Sequence, residues 1–135
     1  MNTRLITMKH RRHKVVLVVE DDTALNHALV TSLEREGYEV LAAKDGKEGF
    51  ELAISRHPDL ILLDLLMPIL DGHEMIGNLR DDSWGSTANV IILTNFSMSE
   101  SKVTKTVLES RPLYFFVKSE MKLKELMSYV NAVLA

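Results

Sequence analysis

The sequence predicts an α/β domain in which helices cover both faces of a parallel β-sheet. Three runs of strand length, residues 15–19, 60–63 and 90–93, are wholly apolar, which is typical of strands buried on both faces. Segments with the apolar spacing of amphipathic helices lie between these runs. The chain has 135 residues, of which 46% are hydrophobic, so it is long enough for one such domain with a full core.

The first two strand–helix units come from the N-terminal half of the chain. The strand at 15–19 is followed by an amphipathic helix, and the second strand, at 38–43, is less apolar and is therefore expected at an edge of the sheet. The first helix is capped by Asp22 or Thr23 and ends at Gly37, and the second begins after the turn at Asp45-Gly46 and ends at His57-Pro58. Their inward-facing residues are expected to be Leu25, Leu29 and Leu33 in the first helix, and Phe50, Ala53 and Ile54 in the second.

The remaining units follow the same alternation. Strands are expected at 59–63, 90–93 and 113–117, and helices at 72–80, from about 99 to 109, and at 122–134. Residues 81–87 are rich in turn formers and form a loop. Five strands alternating with five helices predict a flavodoxin-like doubly wound (βα)5 fold, whose five-stranded parallel sheet has the order 2-1-3-4-5.

Four neighbouring strands of this sheet end in polar residues at the same edge, where open α/β sheets bind their ligands. Each residue alone has an ordinary explanation as a turn, cap or surface residue, but together they favour a functional site. They are Glu20 and Asp21 after strand 1, Asp64 after strand 3, Thr94 after strand 4 and Lys118 after strand 5.

The chemistry of this set is that of an aspartyl phosphate. Three carboxylates repel one another unless a cation lies between them, and oxygen donors alone favour a hard ion such as Mg²⁺. Asp64 is then the oxygen nucleophile that accepts a phosphoryl group. Lys118 can pair with the new phosphoryl oxygens, and the hydroxyl of Thr94 can donate a hydrogen bond to another.

The composition excludes several classes of protein. No cysteine is present, so the chain has neither disulfides nor thiolate metal sites. No apolar run approaches the roughly 20 residues of a membrane-spanning helix, and a net charge of −3 gives no general attraction to nucleic acid or anionic lipid. We therefore expect a cytoplasmic protein that binds no membrane and, through this domain, no nucleic acid.

A basic run at residues 9–14 precedes the first strand. A signal peptide would need a longer apolar core after the basic residues than 15–19 provides. An arm that binds nucleic acid is an alternative, but we interpret residues 1–13 as a solvated basic leader and residues 14–135 as the domain.

The motifs resemble those of the receiver domain of two-component response regulators. They are Val18-Val19-Glu20-Asp21-Asp22, the D-x-x-M-P-x-x-D-G stretch that begins at Asp64 and ends at Gly72, Leu93-Thr94, and Val117-Lys118. The similarity extends from about Lys14 to the C-terminus, and the D-x-x-M-P-x-x-D-G stretch is highly specific.

The resemblance implies a role for each matching residue. Asp64 is the phosphoacceptor, Asp21 binds Mg²⁺ directly, and Glu20 assists, often through water. The backbone carbonyl of Leu66 is a further metal ligand, and Thr94 and Lys118 contact the phosphoryl group. Phe115 is the aromatic switch residue. The implied partners are a histidine kinase or histidine phosphotransfer protein, a downstream protein or an effector domain, and a second copy in a homodimer.

The sequence departs from the family at three places: Ser119 replaces the usual Pro after the lysine, Asn95 replaces a small residue, and Ser110-Arg111-Pro112 replaces a Gly-Ala turn.

Two functions are alternatives to a phosphorylated switch. One is a degenerate receiver that acts as a phosphorylation-independent binding module, and the other is an aspartate-nucleophile phosphatase of the haloacid dehalogenase type. The phosphatase needs a second Asp at the position of Leu66, which cannot transfer protons. The apolar Leu66 and Phe96 flank the implied path of the hydrolytic water, and a long-lived phosphorylated state is therefore predicted.

Overall fold

The computed structural model describes residues 13–67, 70–95 and 100–135. Its strands are β1 (Val15–Val19), β2 (Glu39–Ala43), β3 (Leu60–Asp64), β4 (Val90–Thr94) and β5 (Tyr114–Val117). Its α-helices are α1 (Thr23–Arg35), α2 (Gly46–Arg56), α3 (Gly72–Asp81), α4 (Glu100–Ser110) and α5 (Leu123–Leu134). Short 3₁₀ helices occupy Gly85–Thr87 and Lys118–Glu120.

The five strands form one sheet in the order β2-β1-β3-β4-β5, and every neighbouring pair is parallel. The predicted fold class and strand order are therefore confirmed. The less apolar β2 lies at one edge of the sheet, as its composition indicated, and β5 lies at the other. Since all the strands run in the same direction, their carboxyl ends meet along one rim.

Alternation along the strands divides the core between the two faces of the sheet. The face covered by α1 and α5 buries Val16, Val18, Leu29, Leu33, Leu60, Leu62, Ile91, Leu93, Leu126, Met127 and Val130, with Tyr38 and Leu134 at its margin. The opposite face buries Leu17, Val19, Ala43, Ala53, Ile61, Leu63, Leu65, Met67, Met75, Ile76, Leu79, Val90 and Ile92. The three central strands are thus packed on both sides, which holds their carboxyl ends in fixed relative positions.

Helices α1, α2 and α3 begin in the same way. Each is preceded by an aspartate whose carboxylate accepts a hydrogen bond from the backbone N–H three residues later, at 2.9–3.0 Å. The three capping residues are Asp22, Asp45 and Asp71. Such caps satisfy one of the free N–H groups at a helix start and contribute about 1 kcal/mol each.

The connection from β3 to α3 is packed tightly around two glycines. The N–H of Gly46 donates to the carbonyl of Leu70 at 2.8 Å, and the N–H of Gly72 donates to that of Leu65 at 3.1 Å. A Cβ on Gly72 would lie 2.2 Å from the carbonyl oxygen of Asp64. The absence of a side chain at Gly72 therefore allows α3 to begin directly against the backbone of Asp64.

Arg80, in the last turn of α3, joins three separate parts of the chain. Its guanidinium donates hydrogen bonds to the carbonyls of Ser110 at 2.7 Å, Gly85 at 2.9 Å and Ala88 at 2.7 Å. These carbonyls belong to the end of α4, the 3₁₀ helix and the segment before β4. Arg80 thus fixes the C-terminal end of α4 relative to α3 and β4.

The observed element bounds differ from the predicted ones by at most one residue. The largest difference for function concerns β3, which was expected at 59–63 but includes Asp64, because Asp64 pairs with Leu93 of β4. The loop predicted at 81–87 contains the 3₁₀ helix Gly85–Thr87. The predicted leader up to residue 12, Pro68 and Ile69 of the signature motif, Phe96 and the expected start of the fourth helix lie outside the described residues. Within the described ranges, no helix combines the length and apolar character needed to cross a membrane.

Candidate functional site

The carboxyl ends of β1, β3 and β5 bring Glu20, Asp64 and Lys118 into direct contact. The ammonium nitrogen of Lys118 lies 2.6 Å from Oε1 of Glu20 and 2.9 Å from Oδ2 of Asp64. Only 1% and 2% of the two acidic side chains is exposed, and 14% of that of Lys118. Three of the five residues predicted from strand ends thus form one buried, charged cluster.

The burial of this cluster changes how its members hold protons. Burial raises the pKa of Glu20 to about 8, and its hydrogen bond with Asp64 adds to that rise, while Lys118 opposes it. Burial lowers the pKa of Lys118, but its hydrogen bonds to Glu20 and Asp64 more than offset that effect, so the pKa is raised overall. In the metal-free cluster, burial and the neighbouring Asp64 thus favour the protonated form of Glu20, and the two acidic side chains favour the charged form of Lys118.

Asp21 completes an acidic group that can hold a cation. Carboxylate oxygens of Glu20, Asp21 and Asp64 all lie within 4.8 Å of one another. Asp21 is exposed, whereas the other two are buried. Three carboxylates this close together repel one another, and their oxygen donors fit a hard divalent cation such as Mg²⁺.

The backbone next to Asp64 contributes to its orientation. The N–H of Leu66 donates to Oδ1 of Asp64 at 3.0 Å, which leaves Oδ2 to Lys118. The backbone N–H of Leu66 is thus adjacent to the Asp64 carboxylate. Phe96, the other residue expected to flank the site, lies outside the described residues.

Thr94 is the last residue of β4, and Phe115 lies within β5. The hydroxyl of Thr94 forms its hydrogen bond away from the cluster. The buried Thr94 is one residue past Leu93, the partner of Asp64, and its hydroxyl donates to the carbonyl of Asn95 at 3.1 Å. Phe115 is half-buried, pairs with Ile92, and packs against the core on the α2–α3 face. A contact between Thr94 and a group bound at Asp64 would require its hydroxyl to turn away from Asn95.

Two further features bear on the extent of the site: the bond that follows Lys118 and the single tryptophan. The bond between Lys118 and Ser119 is trans, since the described residues contain no cis peptide, and Lys118 begins a 3₁₀ helix. Trp84 stacks on His57 with ring centroids 4.4 Å apart. His57 precedes β3 and Trp84 precedes β4, so both lie on the side of the sheet where the strands begin. A five-residue strand is about 16 Å long, and the site lies at the other end of the strands. Trp84 is therefore not part of the site.

Asn26 is a member of the site's surroundings that the sequence did not reveal. From the first turns of α1, its side-chain NH₂ group donates to the carbonyl of Glu20 at 2.9 Å and to that of Ala43 at 3.1 Å. Asn26 thereby links the ends of β1 and β2 beside the acidic group. An asparagine near a helix start is common, and only the three-dimensional arrangement distinguishes this one.

The comparisons with known proteins agree with this geometry. The profile of the response regulator receiver domain matches residues 16–131. Protein PilH of Pseudomonas aeruginosa is 32% identical over 120 residues, which are 89% of this chain and 97% of PilH. The structure of the response regulator protein TrrA from Thermotoga maritima, in complex with Mg²⁺-BeF, is 30% identical with a TM-score of 0.74 and covers 89% of this chain and 98% of TrrA.

Other curated relatives are longer than this chain. The DNA-binding dual master transcriptional regulator RpaA of Synechocystis is 36% identical over 88 residues, 65% of this chain and 36% of RpaA. The chain matches only about a third to a half of the length of RpaA and of the probable transcriptional regulator ycf27 of Porphyridium aerugineum, at 36% and 47%. The match to the family profile nevertheless covers nearly the whole fold described above. The chain belongs to the family of response regulator receiver domains.

Proposed function

We propose that this receiver domain is a signalling switch that is activated when Asp64 accepts a phosphoryl group. The observation that carries the proposal is the position of the Asp64 carboxylate, which lies 2.9 Å from the ammonium of Lys118 and within 4.8 Å of oxygens of Glu20 and Asp21. A nucleophilic carboxylate needs cations around it, because the incoming phosphoryl group brings further negative charge.

In the proposed reaction, a carboxylate oxygen of Asp64 attacks the phosphorus of the donor. The bond between the phosphorus and the donor's leaving atom breaks, and the electron pair departs with that atom. Lys118, already paired with Asp64, neutralises charge on the phosphoryl oxygens, and Thr94 donates its hydroxyl to one of them. The domain thus catalyses its own phosphorylation and dephosphorylation but turns over no separate substrate.

Asp21, Glu20, Asp64 and the backbone carbonyl of Leu66 are the residues that would hold Mg²⁺ in this site. The ion supplies positive charge to the transferring phosphoryl oxygens when it is bound. Asp21 is the exposed member of the acidic group and is assigned direct contact, whereas Glu20 acts mainly through water. Lys118, which follows β5 at the same rim, serves as the permanent cation of the site.

The proposed output is a change at the α4–β5–α5 surface. When Thr94 turns toward the phosphoryl group, the hydroxyl leaves the carbonyl of Asn95, and Phe115 on the neighbouring strand follows into the space. Phe115 is half-buried, so it has room to change its exposure. The downstream reader of that surface is a protein partner, an effector domain or a second copy of the chain.

The proposed phosphoryl donor is a histidine kinase or histidine phosphotransfer protein, and the proposed location is the cytoplasm. We also propose that residues 14–135 act as the receiver and residues 1–13 as a separate basic leader. The support is that, within residues 13–67, the hydrogen bonding of the sheet begins at Lys14, whose carbonyl accepts the N–H of Glu39 at 3.1 Å.

The proposal is tested with acetyl phosphate as a small-molecule donor. Incubation with acetyl phosphate and Mg²⁺ is expected to add the mass of one phosphoryl group to the intact protein, and chelation of the metal is expected to prevent the addition. The measurement is intact-mass spectrometry, with a peptide map that locates the group. A protein that gains no mass with Mg²⁺ present would instead support a phosphorylation-independent binding module.

A second expectation concerns pH. Because a proton on Glu20 competes with a cation, we expect Mg²⁺ affinity to rise as the pH increases from 6 to about 8, where the raised pKa of Glu20 lies, and then to level off. The same proton is bound by the folded state and released by the unfolded chain above its ordinary pKa of 4.5. The metal-free protein should therefore lose stability as the pH rises from about 4.5 to about 8.

Calorimetric Mg²⁺ titration at several pH values measures the affinity, and titration in buffers of different ionisation enthalpy counts the protons released. Glu20→Gln carries no titrating carboxyl and is the matched control, which should bind Mg²⁺ with little dependence on pH in this range. An affinity that is constant from pH 6 to 8 in the wild type would contradict the assignment of the proton to Glu20.

A further inference from the structure

The side chain of Asn26 makes an unusual pair of hydrogen bonds at the edge of the acidic group. One nitrogen, Nδ2, donates to two backbone carbonyls, those of Glu20 at 2.9 Å and Ala43 at 3.1 Å. Two carbonyl neighbours identify this atom as the nitrogen of the amide, because the oxygen would be repelled by both. The amide thus acts purely as a donor between the ends of two strands.

These carbonyls lie where the ladder between β1 and β2 ends. The last register pair is Val19 with Ala43, and beyond it the N–H of Glu20 donates to the carbonyl of Ala43 at 3.0 Å. The carbonyl of Glu20 points past the end of the ladder, and the Asn26 amide supplies its donor. The backbone of Asn26 is fixed in turn, since its own N–H donates to the carbonyl of Asp22 at 2.8 Å.

The carboxylates of the three acidic residues are not held in position by the same contacts. Side-chain contacts with Lys118 fix Glu20 and Asp64. Within the described part of the chain, no hydrogen bond or ion pair holds the carboxylate of Asp21, which is exposed. Its position depends on the direction of its own Cα–Cβ bond, and hence on the peptide plane that joins Glu20 to Asp21. The carbonyl that Asn26 binds belongs to that peptide plane.

We propose that Asn26 is a positioning residue for the cation site, which orients the Glu20–Asp21 peptide so that the Asp21 carboxylate faces the bound cation. The side chain of Asn26 contacts none of the carboxylates that would hold the cation; it binds the backbone carbonyl of Glu20 and acts through that peptide. The inference rests on the proposed function only in assuming that the site takes Mg²⁺. Loss of an outer partner that orients a metal ligand typically weakens metal affinity by about 10- to 100-fold.

A purely structural role for Asn26 predicts a different outcome. Loss of two hydrogen bonds at a strand end would then lower the stability of the metal-free fold, while the folded molecules would bind Mg²⁺ as before. The two roles therefore separate when metal affinity is measured on folded protein, apart from stability.

The experiment compares Asn26→Ala and Asn26→Asp with His27→Ala, an exposed neighbour on the same helix. Mg²⁺ affinity is measured by calorimetry, and thermal unfolding is followed with chelator and with excess Mg²⁺. Both Asn26 variants are expected to bind Mg²⁺ about 10- to 100-fold more weakly than the wild type and to show a smaller Mg²⁺-induced rise in Tm. His27→Ala is expected to match the wild type in both measurements.

Variants that fold and bind Mg²⁺ with wild-type affinity would overturn the inference while leaving the proposed function intact. A wild type that binds no Mg²⁺ would overturn both. If Asn26→Ala does not fold, Asn26→Ser replaces it, because a shorter hydroxyl side chain keeps one donor but cannot bridge both carbonyls. Its affinity is expected to fall between those of the wild type and Asn26→Asp, and equality with the wild type would again refute the role.

Discussion

Asp64→Asn is expected to abolish phosphorylation by acetyl phosphate while the domain remains folded. The amide has nearly the volume of the carboxylate, so the buried position on β3 stays filled, and its oxygen can still accept the N–H of Leu66. The amide lacks the anionic oxygen that attacks phosphorus and cannot form the ion pair with Lys118. Intact mass after incubation with donor and Mg²⁺ should therefore show unmodified protein only.

Asp71→Asn is the matched control for this prediction. Asp71 belongs to the same signature stretch, but its carboxylate caps α3 by accepting the N–H of Glu74 at 2.9 Å. Asparagine caps helices about as well as aspartate, so this variant should fold and accept a phosphoryl group like the wild type. Mass gain in Asp64→Asn at the wild-type level would refute the assignment of the phosphoacceptor.

Gly72→Ala is expected to cost about 2–4 kcal/mol of unfolding free energy and to slow phosphorylation. The added Cβ would lie 2.2 Å from the carbonyl oxygen of Asp64 and 2.5 Å from Cα of Leu65, and both are backbone atoms that cannot rotate away. Relief of the clash must move α3 or the end of β3, and the latter carries the nucleophile. Denaturant unfolding measures the stability, and the rate of mass gain with acetyl phosphate measures the effect on the site.

Gly77→Ala, in the same helix, is the control. A Cβ there would meet nothing within 4 Å, so only the gain in helix propensity remains, about 0.5–1 kcal/mol of added stability. Opposite signs for the two Gly→Ala changes are the expected result. Equal stability in the Gly72→Ala variant and the wild type would mean that the β3–α3 connection yields without cost.

Much of the fold could be predicted because the central strands carry their signal locally. The runs at 60–63 and 90–93 are apolar throughout, as strands packed on both faces must be, and aspartates mark the starts of three helices. The bounds were less certain, because the sequence does not specify how far a strand continues to pair. Asp64 reads as the residue after a strand, and only its pairing with Leu93 makes it the last residue within it.

The candidate site was predictable where each residue directly follows or ends an apolar strand. Glu20, Asp64 and Lys118 meet because parallel strands end at one rim. The raised pKa of Glu20 was not predictable, since it depends on burial and on the hydrogen bond with Asp64. Asn26 and Arg80 were missed for a different reason. Both bind backbone carbonyls, some of them 17 to 30 positions away in the sequence, and carbonyls leave no residue-specific signal.

The contacts of Arg80 have a mechanical consequence for α4. Arg80 binds the carbonyl of Ser110, and His73 contacts Thr106, so two polar contacts hold the C-terminal half of α4. A helix of 11 residues is about 16 Å long, and a tilt of about 10° around the anchored end displaces the other end by roughly 3 Å. A small rotation about the contact with Arg80 would therefore displace the amino end of α4, which follows β4 along the chain and lies toward the rim where β4 presents Thr94.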